Sequence, residues 1–468
     1  MKKISLMRRV KNIHFIGIGG SGMSGIAEVL LNQGYNITGS DKNVNSATKR
    51  LESLGAKIFS NHDAQNIANT DAIVTSSAIS ADNPELQAAN KLHLPILPRA
   101  QMLAELMRFH HGIAIAGTHG KTTTTSLVAS ILAEANLDPT FVIGGILNSS
   151  SASARLGTGK YFVIEADESD ASFLYFNPMA SIVTNIDADH MQTYGNDFNQ
   201  LKQAFLDFLH RLPFYGLAVV CIDDPVVKEI LPKISRPVIT YGFSDAADVQ
   251  ISDCKQQGFS CDFKINLKQQ NQKMDLKLNL PGNHNVLNAT AAAITAIECC
   301  QVDQNAVSSA LAEFSGVGRR MQRYGEISMP QGKVLVIDDY GHHPQEISVT
   351  LQALRKALPD RRLVLAFQPH RYTRMRDLFE DFTPVLSTAD VLLLMEVYAA
   401  GETPILGIDS RALIRNIRQR GQIEPVFVAD NKELLKILPN VLRDGDVLLL
   451  QGAGSIAAIA PHLKQEYT

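Results

Sequence analysis

The chain has 468 residues, of which 45% are hydrophobic and 19% are charged, and its formal net charge is -3 at pH 7. At ~100–200 residues per domain, this length and ordinary globular composition predict two to four domains. The balanced charge argues against a general nucleic-acid or membrane-surface binder, and no apolar run approaches the ~20 residues that span a bilayer.

The cysteines predict neither a disulfide framework nor a zinc site. There are five of them, an odd number in a long chain, and no CxxC pair occurs. Residues 1–12 are basic but lack the apolar run of a signal peptide. We therefore expect a cytoplasmic protein.

Short β-branched runs alternate with longer amphipathic stretches along the whole chain, which predicts βαβ units and parallel sheets. New strand-to-glycine-loop units begin near residues 12, 112 and 333, and an apolar helix follows Pro281. We predict three consecutive α/β domains, at residues 1–108, 109–317 and 318–468. Their predicted strands are residues 12–16, 36–39 and 71–75; 112–116, 161–164, 181–184, 217–221 and 238–241; and 333–338, 362–367, 391–395, 425–429 and 446–450.

A glycine-rich turn follows the first predicted strand and opens a helix at residues 23–32. Such a turn lets a pyrophosphate approach the helix N-terminus, and Asp41 follows the second strand, where an acidic residue meets a ribose hydroxyl. NAD, FAD and a UDP-sugar all fit this pattern, and so does a close packing turn that binds nothing. The candidate residues of the turn are Gly17, Gly19, Gly20, Ser21 and Gly22.

A second glycine loop, Gly117-Thr118-His119-Gly120-Lys121-Thr122, follows the strand at 112–116. It resembles a P-loop, although Ile115 stands where the full pattern requires glycine. The spacing lets backbone N–H groups cradle phosphates, Lys121 reach the β/γ oxygens and the Thr122 hydroxyl bind Mg²⁺.

Two acidic segments follow strands of the same domain. Residues 165–170 (EADESD) come after one strand, and residues 185–190 (NIDADH) come after the next. Ligands gather beyond the carboxyl ends of strands in open α/β sheets, so both segments should lie beside the phosphate loop. Their oxygen donors suit a hard cation such as Mg²⁺.

In this order along the chain, the motifs resemble the Mur ligase family, and the resemblance covers nearly the whole sequence. His119 is typical of two branches of the family, and the QPHRYTR segment favours the branch that adds a single amino acid over the branch that adds a preformed peptide. The segments are residues 17–28 (GIGGSGMSGIAE), 117–125 (GTHGKTTTT), 165–173 (EADESDASF), 184–190 (TNIDADH), 282–288 (GNHNVLN), 318–320 (GRR), 338–344 (DDYGHHP), 368–374 (QPHRYTR) and 451–455 (QGAGS).

The resemblance implies a Rossmann-like N-terminal domain for a UDP-sugar, a central P-loop domain for ATP and a Rossmann-like C-terminal domain that closes over ATP and amino acid. It also implies an activity: ATP-dependent, ADP-forming ligation of L-alanine to the carboxylate of UDP-N-acetylmuramate, with Mg²⁺, in peptidoglycan precursor synthesis. Two phosphate-binding loops in one chain are then expected, because the substrate is itself a nucleotide-sugar.

Residue roles follow from the resemblance position by position. Lys121, Glu165, His190, Arg320, Asp339 and His343 match catalytic positions, and Thr122, Glu165 and His190 match the Mg²⁺ positions. The ATP positions are Gly117, Thr118, His119, Gly120, Lys121, Thr122, Thr123, His284, Asn285, Asn288, Arg320, Asp339 and Tyr340. The UDP-sugar positions are Gly17, Gly19, Gly20, Ser21, Gly22, Asp41, His119, Arg371 and Arg374.

A carboxylate is a poor acyl donor, so we expect its phosphorylation by ATP, followed by attack of the alanine amine on the acyl phosphate. His343 and Asp339 are the candidate acceptors of the amine proton. Two other classes compete: an NAD-dependent oxidoreductase leaves the phosphate loop and acidic segments unexplained, and a nucleotide-switch ATPase leaves the first glycine turn unexplained.

Overall fold

The computed structural model describes residues 7, 9–76, 78–150, 152–421 and 423–467; the side chain of Ser21, one predicted UDP-sugar contact, lies outside the described part. The described residues form three β-sheets. It divides into two compact units, the first made of Met1–Cys254, Asp262–Leu278 and Asn285–Ser315, the second of Lys255–Cys261, Asn279–His284 and Gly316–Thr468.

The first sheet is parallel, with strand order β3-β2-β1-β4-β5, which is a Rossmann-like arrangement. Its strands are β1 (Asn12–Ile16), β2 (Asn36–Ser40), β3 (Lys57–Phe59), β4 (Ala72–Thr75) and β5 (Ile96–Pro98). Its helices are α1 (Ser21–Gln33), α2 (Ser46–Ser53), α3 (Pro84–Lys91) and α4 (Arg99–Met107).

The second sheet has ten strands in the order β15-β14-β13-β12-β11-β10-β6-β9-β7-β8. Strand β6 lies between β10 and β9 and is parallel to both. The strands are β6 (His111–Ala116), β7 (Thr140–Leu147), β8 (Ala152–Arg155), β9 (Tyr161–Glu165), β10 (Ala180–Val183), β11 (Leu217–Cys221), β12 (Val238–Gly242), β13 (Val249–Gln257), β14 (Ser260–Leu267) and β15 (Gln272–Leu278). The helices are α5 (Lys121–Glu134), α6 (Phe198–His210), α7 (Pro225–Ile230), α8 (Asn283–Cys300) and α9 (Gln304–Ala312).

The third sheet has the order β16-β17-β21-β18-β19-β20, with β16 antiparallel to β17 and the other neighbours parallel. Its strands are β16 (Gln322–Met329), β17 (Gly332–Asp339), β18 (Leu363–Phe367), β19 (Val391–Met395), β20 (Val426–Val428) and β21 (Val447–Gln451). The helices are α10 (Pro344–Ala357), α11 (Tyr372–Asp377), α12 (Phe379–Leu386), α13 (Ser410–Arg420), α14 (Asn431–Val441) and α15 (Ile459–Tyr467).

Every strand predicted from the sequence is present, with its ends displaced by no more than one residue. The strands that the prediction missed include β13, which is exposed at every second residue near its end and carries few apolar residues there. The predicted fold class, three consecutive α/β domains, is confirmed by the three sheets, whereas the predicted boundaries at 108/109 and 317/318 stay predictions.

Buried apolar strands and small helix residues position the site in the first unit. Ile113 and Ile115 of β6 are fully buried, and α5 is buried along almost its whole length. Helix α1 passes close to β8 at Gly25, where an added Cβ would lie 3.0 Å from the Cβ of Ala154. In the described part of the chain, no helix combines the length and apolar character needed to cross a membrane.

Candidate active site

The loop between β6 and α5 has a backbone that only glycine adopts readily. Gly117 has φ +132° and Gly120 has φ +86°. Lys121 is the first residue of α5, so the loop delivers the N–H groups of a helix N-terminus, where anions are stabilised. Thr122 and Thr123 follow in the first turn of the helix and are nearly buried.

Hydrogen bonds fix this loop to the chain that follows β10. Asn185 accepts a bond from the N–H of His119 at 2.8 Å through Oδ1 and donates to its carbonyl at 3.0 Å through Nδ2. The Thr184 hydroxyl donates to the same carbonyl at 2.6 Å. The Asp187 N–H donates to Thr118 Oγ1 at 2.8 Å. The residues after β10 therefore stabilise the conformation of the phosphate loop. They lie beside the loop, as the sequence predicted.

The acidic residues that follow β9 lie on the other side of the loop. Lys121 Nζ donates to Glu168 Oε2 at 2.7 Å, and Glu168 is only 2% exposed. Burial lowers the pKa of Lys121, but Glu168, Asp167 and Glu165 outweigh it and raise that pKa overall. Lys121 is consequently held in its charged form, which suits a phosphate ligand.

The candidate Mg²⁺ ligands come from three neighbouring elements: Thr122 from α5, Glu165 from β9 and His190 from the segment after β10. Glu165 Oε1 accepts a hydrogen bond from the Gly144 N–H at 2.7 Å, and a Cβ at Gly144 would lie 2.9 Å from Glu165 Oε2. His190 has φ +55° and lies with Nε2 3.5 Å from Asp189 Oδ2. A carboxylate and a hydroxyl beside a phosphate loop are donors that fit Mg²⁺, with the imidazole a less usual third ligand.

Helix α8 brings two buried asparagines to the loop. Asn288 lies so close to Gly120 that a Cβ there would stand 2.6 Å from its Oδ1. Asn285, one turn earlier, accepts from Asn288 Nδ2 at 3.5 Å. His284 precedes them, and burial lowers its pKa to about 4, so its imidazole is neutral at pH 7.

The glycine turn after β1 is closed by Asp41. The N–H groups of Gly17 and Ile18 donate to the Ser40 carbonyl, and the Gly19 N–H donates to Asp41 Oδ2 at 2.8 Å. Side chains at Gly19 would meet Asp41, since an added Cβ lies 2.8 Å from Oδ2. Asp41 thus shapes the turn, and its predicted contact with a ribose stays a prediction. Gly20 is extended at the start of α1.

Arg99 is a cation near the turn that the sequence analysis did not single out. An added Cβ at Gly22 would lie 2.6 Å from Arg99 Nη1. Burial raises the pKa of Asp167, but Lys121, hydrogen bonds from Ser169 and, least of these, Arg99 stabilise its carboxylate and lower the pKa overall. The first residue of α4 therefore acts electrostatically on the acidic segment of the phosphate site.

A buried polar network supports β2, and no sequence pattern indicated it. Glu85 is fully buried and accepts from Ser40 Oγ at 2.7 Å and Asn66 Nδ2 at 2.8 Å, with the His62 Nδ1 at 2.8 Å and the His14 Nε2 at 3.2 Å. Burial raises the pKa of Glu85, but hydrogen bonds from these four side chains outweigh it and lower the pKa to about 2. The Glu85 carboxylate therefore stays ionised and anchors Ser40, the last residue of β2, whose carbonyl accepts from the glycine turn.

In the second unit, the end of β17 carries two buried carboxylates. Asp339 accepts hydrogen bonds from the N–H groups of Met321 and Gly341, both at 2.9 Å, and from Gln451 Nε2 at 3.0 Å. Burial raises the pKa of Asp339, against the attraction of Arg320. These contacts tie three chain segments together, which favours a positioning role for Asp339.

The neighbouring carboxylate, Asp338, pairs with Arg319 at 3.3 Å, and burial raises its pKa to about 6. The guanidinium groups of Arg319 and Arg320 lie over the ring of Tyr340, 5.0 and 5.1 Å from its centroid. This arrangement holds two cations beside an aromatic ring, a combination suited to a phosphate and a nucleobase.

His343 is the N-cap of α10. Its Nδ1 accepts from the Gln345 N–H at 3.3 Å, while Glu346 Oε2 accepts from the His343 N–H at 3.2 Å, which completes a capping box. An accepting Nδ1 places the proton of the neutral ring on Nε2. The cap orients the ring, and the role of His343 as acceptor of the amine proton stays a prediction.

Arg371 and Arg374 lie at α11, beyond the end of β18. Arg374 is 8% exposed, and its Nη1 lies 3.4 Å from both Nδ1 and the carbonyl oxygen of His370. Burial and the nearby cations lower the pKa of His370 to about 3. The His370 ring stacks on Tyr398 at 5.6 Å, and the Arg371 N–H donates to the Tyr398 carbonyl. These residues gather at the carboxyl edge of the third sheet together with Asp339.

Fold and site together define a nucleotide-binding α/β protein with a shortened phosphate loop set between two acidic strand ends. Three family models match consecutive parts of the chain: the Mur ligase family catalytic domain at residues 12–111, the Mur ligase middle domain at residues 115–296, and the Mur ligase glutamate ligase domain at residues 319–454.

Solved structures resemble the chain over nearly its full length. The UDP-N-acetylmuramate-alanine ligase of Thermotoga maritima is 30% identical, with a TM-score of 0.83 over 98% of this chain and 99% of that chain. A murein peptide ligase of Psychrobacter arcticus is 24% identical, with a TM-score of 0.71 over 97% and 98%. The MurF ligase of Thermotoga maritima, solved in complex with ADP, is 16% identical, with a TM-score of 0.62 over 92% and 95%. The chain belongs to the Mur ligase family.

Proposed function

We propose that this chain is an ATP-dependent, ADP-forming ligase that joins L-alanine to the carboxylate of UDP-N-acetylmuramate, in the cytoplasmic synthesis of peptidoglycan precursors. The observation that carries the proposal is its 30% identity over 98% of its length to a UDP-N-acetylmuramate-alanine ligase. The phosphate loop between the ends of β9 and β10 supports the use of ATP, as does the ADP complex of a structure with the same fold.

The first chemical step joins two anions. An oxygen of the muramoyl carboxylate attacks the γ-phosphorus of ATP, the bond to the bridging oxygen breaks, and ADP leaves with the electron pair. Lys121 and Arg320 are proposed to lower the barrier by neutralising charge on the transferring phosphoryl group. Lys121 suits this role because its neighbouring carboxylates keep it charged. Mg²⁺, held by Thr122, Glu165 and His190, would neutralise further charge on the phosphates.

The second step forms the amide. The neutral amine of L-alanine attacks the acyl carbon, inorganic phosphate leaves with the electrons of the C–O bond, and the proton that the amine loses passes to the departing phosphate. We propose that Asp339 and His343 position the groups of this step, since Asp339 already accepts three hydrogen bonds and His343 caps α10. Arg371 and Arg374 are proposed to bind a substrate carboxylate, a role that a planar guanidinium fills with two parallel hydrogen bonds.

The remaining proposed contacts are to the two nucleotides. The ATP contacts are Gly117, Thr118, His119, Gly120, Thr123, His284, Asn285, Asn288 and Tyr340. The UDP-sugar contacts are Gly17, Gly19, Gly20, Ser21, Gly22, Asp41 and His119. Backbone N–H groups in the first turns of α1 and α5 are the proposed anion-binding donors.

The test is phosphate release from Mg-ATP in the presence of UDP-N-acetylmuramate, with L-alanine, glycine, L-serine or an L-Ala-D-Glu-containing tripeptide as acceptor. We expect release that requires both the UDP-sugar and L-alanine. Lys121→Ala is the matched inactive control, since it removes the phosphate-binding cation.

Two outcomes contradict the proposal. Release with the tripeptide but without response to L-alanine would assign the chain to the peptide-adding branch of the family. Release that ignores both amino acids and UDP-sugar would instead identify a regulatory ATPase.

A further inference from the structure

The ammonium group of Lys121 is fully used within its own chain. Its Nζ donates to the Gly117 carbonyl at 2.7 Å, to the Thr118 carbonyl at 3.2 Å and to Glu168 Oε2 at 2.7 Å. An ammonium has three N–H donors, so these three acceptors exhaust it. Any phosphate oxygen that binds Lys121 has to replace one of them.

Of the three acceptors, Glu168 is the only charged one. Its side chain is 3% exposed, and its backbone carbonyl accepts from the Tyr194 hydroxyl at 2.5 Å and from the Ala171 N–H at 3.0 Å. Tyr194 is itself nearly buried. The position of the Glu168 carboxylate is therefore fixed, because hydrogen bonds from Tyr194 and Ala171 hold the backbone that carries it.

The geometry makes Glu168 a competitor of phosphate. Its Oε2 offers Lys121 a negatively charged acceptor at 2.7 Å, as an oxygen of a nucleotide phosphate does. When Lys121 turns to a phosphate, Glu168 loses its countercharge in a buried site and faces a second anion, and breaking a buried ion pair in this way is costly.

We infer that Glu168 is a built-in mimic of the nucleotide phosphate, which competes for Lys121 and weakens nucleotide binding. This inference deepens the proposed function and rests on it. Glu168 keeps the charged Lys121 in place in a buried site. Because it also lowers the affinity for the nucleotide, ADP can leave after each turnover.

The experiment is isothermal titration calorimetry of the full chain with ADP, with and without Mg²⁺, on the wild type, Glu168→Gln and Asp170→Asn. Glu168→Gln keeps the size of the side chain and removes the charge. Asp170→Asn removes one charge from the same segment, at an exposed position whose carboxylate caps the Ser172 N–H. A hydrogen bond to a charged group supports an expected tightening of about tenfold in Kd for Glu168→Gln, and less than threefold for Asp170→Asn.

Kinetics supply a readout that a structural role would not move. The KM for ATP should fall in Glu168→Gln, while the KM values for UDP-N-acetylmuramate and L-alanine stay unchanged. If Glu168→Gln does not fold, Glu168→Asp decides, because it keeps the charge but shortens the reach to Lys121 and should tighten ADP binding by a smaller factor.

The inference is overturned if Glu168→Gln binds ADP as the wild type does or more weakly. Weakening only in the presence of Mg²⁺ would overturn it too, since Glu168 would then act on the metal side of the site. A wild type that binds no ADP or ATP at all would instead refute the proposed function, so the two failures are distinguishable.

Discussion

Replacing Gly117 by alanine tests whether the phosphate loop depends on its glycine backbone. A Cβ at Gly117 would lie 2.1 Å from Thr184 Oγ1 and 3.1 Å from the Asn185 carbonyl oxygen. The Thr184 side chain can rotate away, but it then loses its 2.6 Å hydrogen bond to the His119 carbonyl. The φ of +132° adds backbone strain that does not relax.

The magnitude follows from these two contributions. Backbone strain of about 1–3 kcal/mol and a lost hydrogen bond of about 1 kcal/mol sum to about 2–4 kcal/mol. Because both act on the shape of the phosphate loop, we expect ADP affinity to fall by about 30- to 1,000-fold. Calorimetric titration with ADP measures the change directly.

Gly258→Ala is the matched control. Gly258 lies in the turn between β13 and β14 with φ +56°, and a Cβ there would meet no atom within 4 Å. It adds left-handed strain of about 1–2 kcal/mol without a clash, and should leave the ADP affinity within twofold of the wild type. If Gly117→Ala binds ADP within threefold of the wild type, the reasoning on the loop is refuted.

Three further predictions concern stability and reactivity. Glu85→Gln should destabilise the first sheet by about 3 kcal/mol at pH 7, because the folded pKa of Glu85, about 2, lies below its ordinary value of 4.5. The wild type keeps this stability above pH ~4.5 and loses it as the pH falls towards 2, which hydrogen exchange in β1 would detect. An acid profile that is the same in the variant and the wild type would contradict the prediction. Asn185→Ala removes two hydrogen bonds to His119 and should weaken ADP binding about tenfold, as calorimetry would measure. An unaltered ADP affinity would show that the phosphate loop keeps its shape without Asn185. Cys221 and Cys300 are buried, and burial raises the pKa of both thiols to about 12. Iodoacetamide at pH 8 should therefore label them only after urea is added, which mass spectrometry of the peptides would show. Rapid labelling of the native protein would contradict this prediction.

The sequence predicted correctly those elements that depend on a few neighbouring residues. Buried parallel strands such as β6 and β10 are mostly apolar, and glycine at 117 and 120 marks backbone that other residues avoid. Strands such as β13 were missed because one end is half exposed and polar, so its apolar pattern is too weak to distinguish it from a loop.

The sequence also predicted that the acidic segments after β9 and β10 lie beside the phosphate loop. This worked because parallel strands end at one edge of a sheet whatever their order. The roles of individual residues in catalysis, in metal binding and in nucleotide binding stay predictions, since they depend on ligands rather than on strand order.

What the amino-acid sequence by itself determined is the series of α/β units, the two glycine turns and the residue types at the strand ends, because each depends on a few neighbouring residues. Only the tertiary structure decided that β6 lies between β9 and β10, that Asp41 closes its own glycine turn, and that Lys121 pairs with Glu168. The Gly19–Asp41 and Lys121–Glu168 contacts join residues 22 and 47 positions apart, and burial sets their strength, which no local pattern encodes.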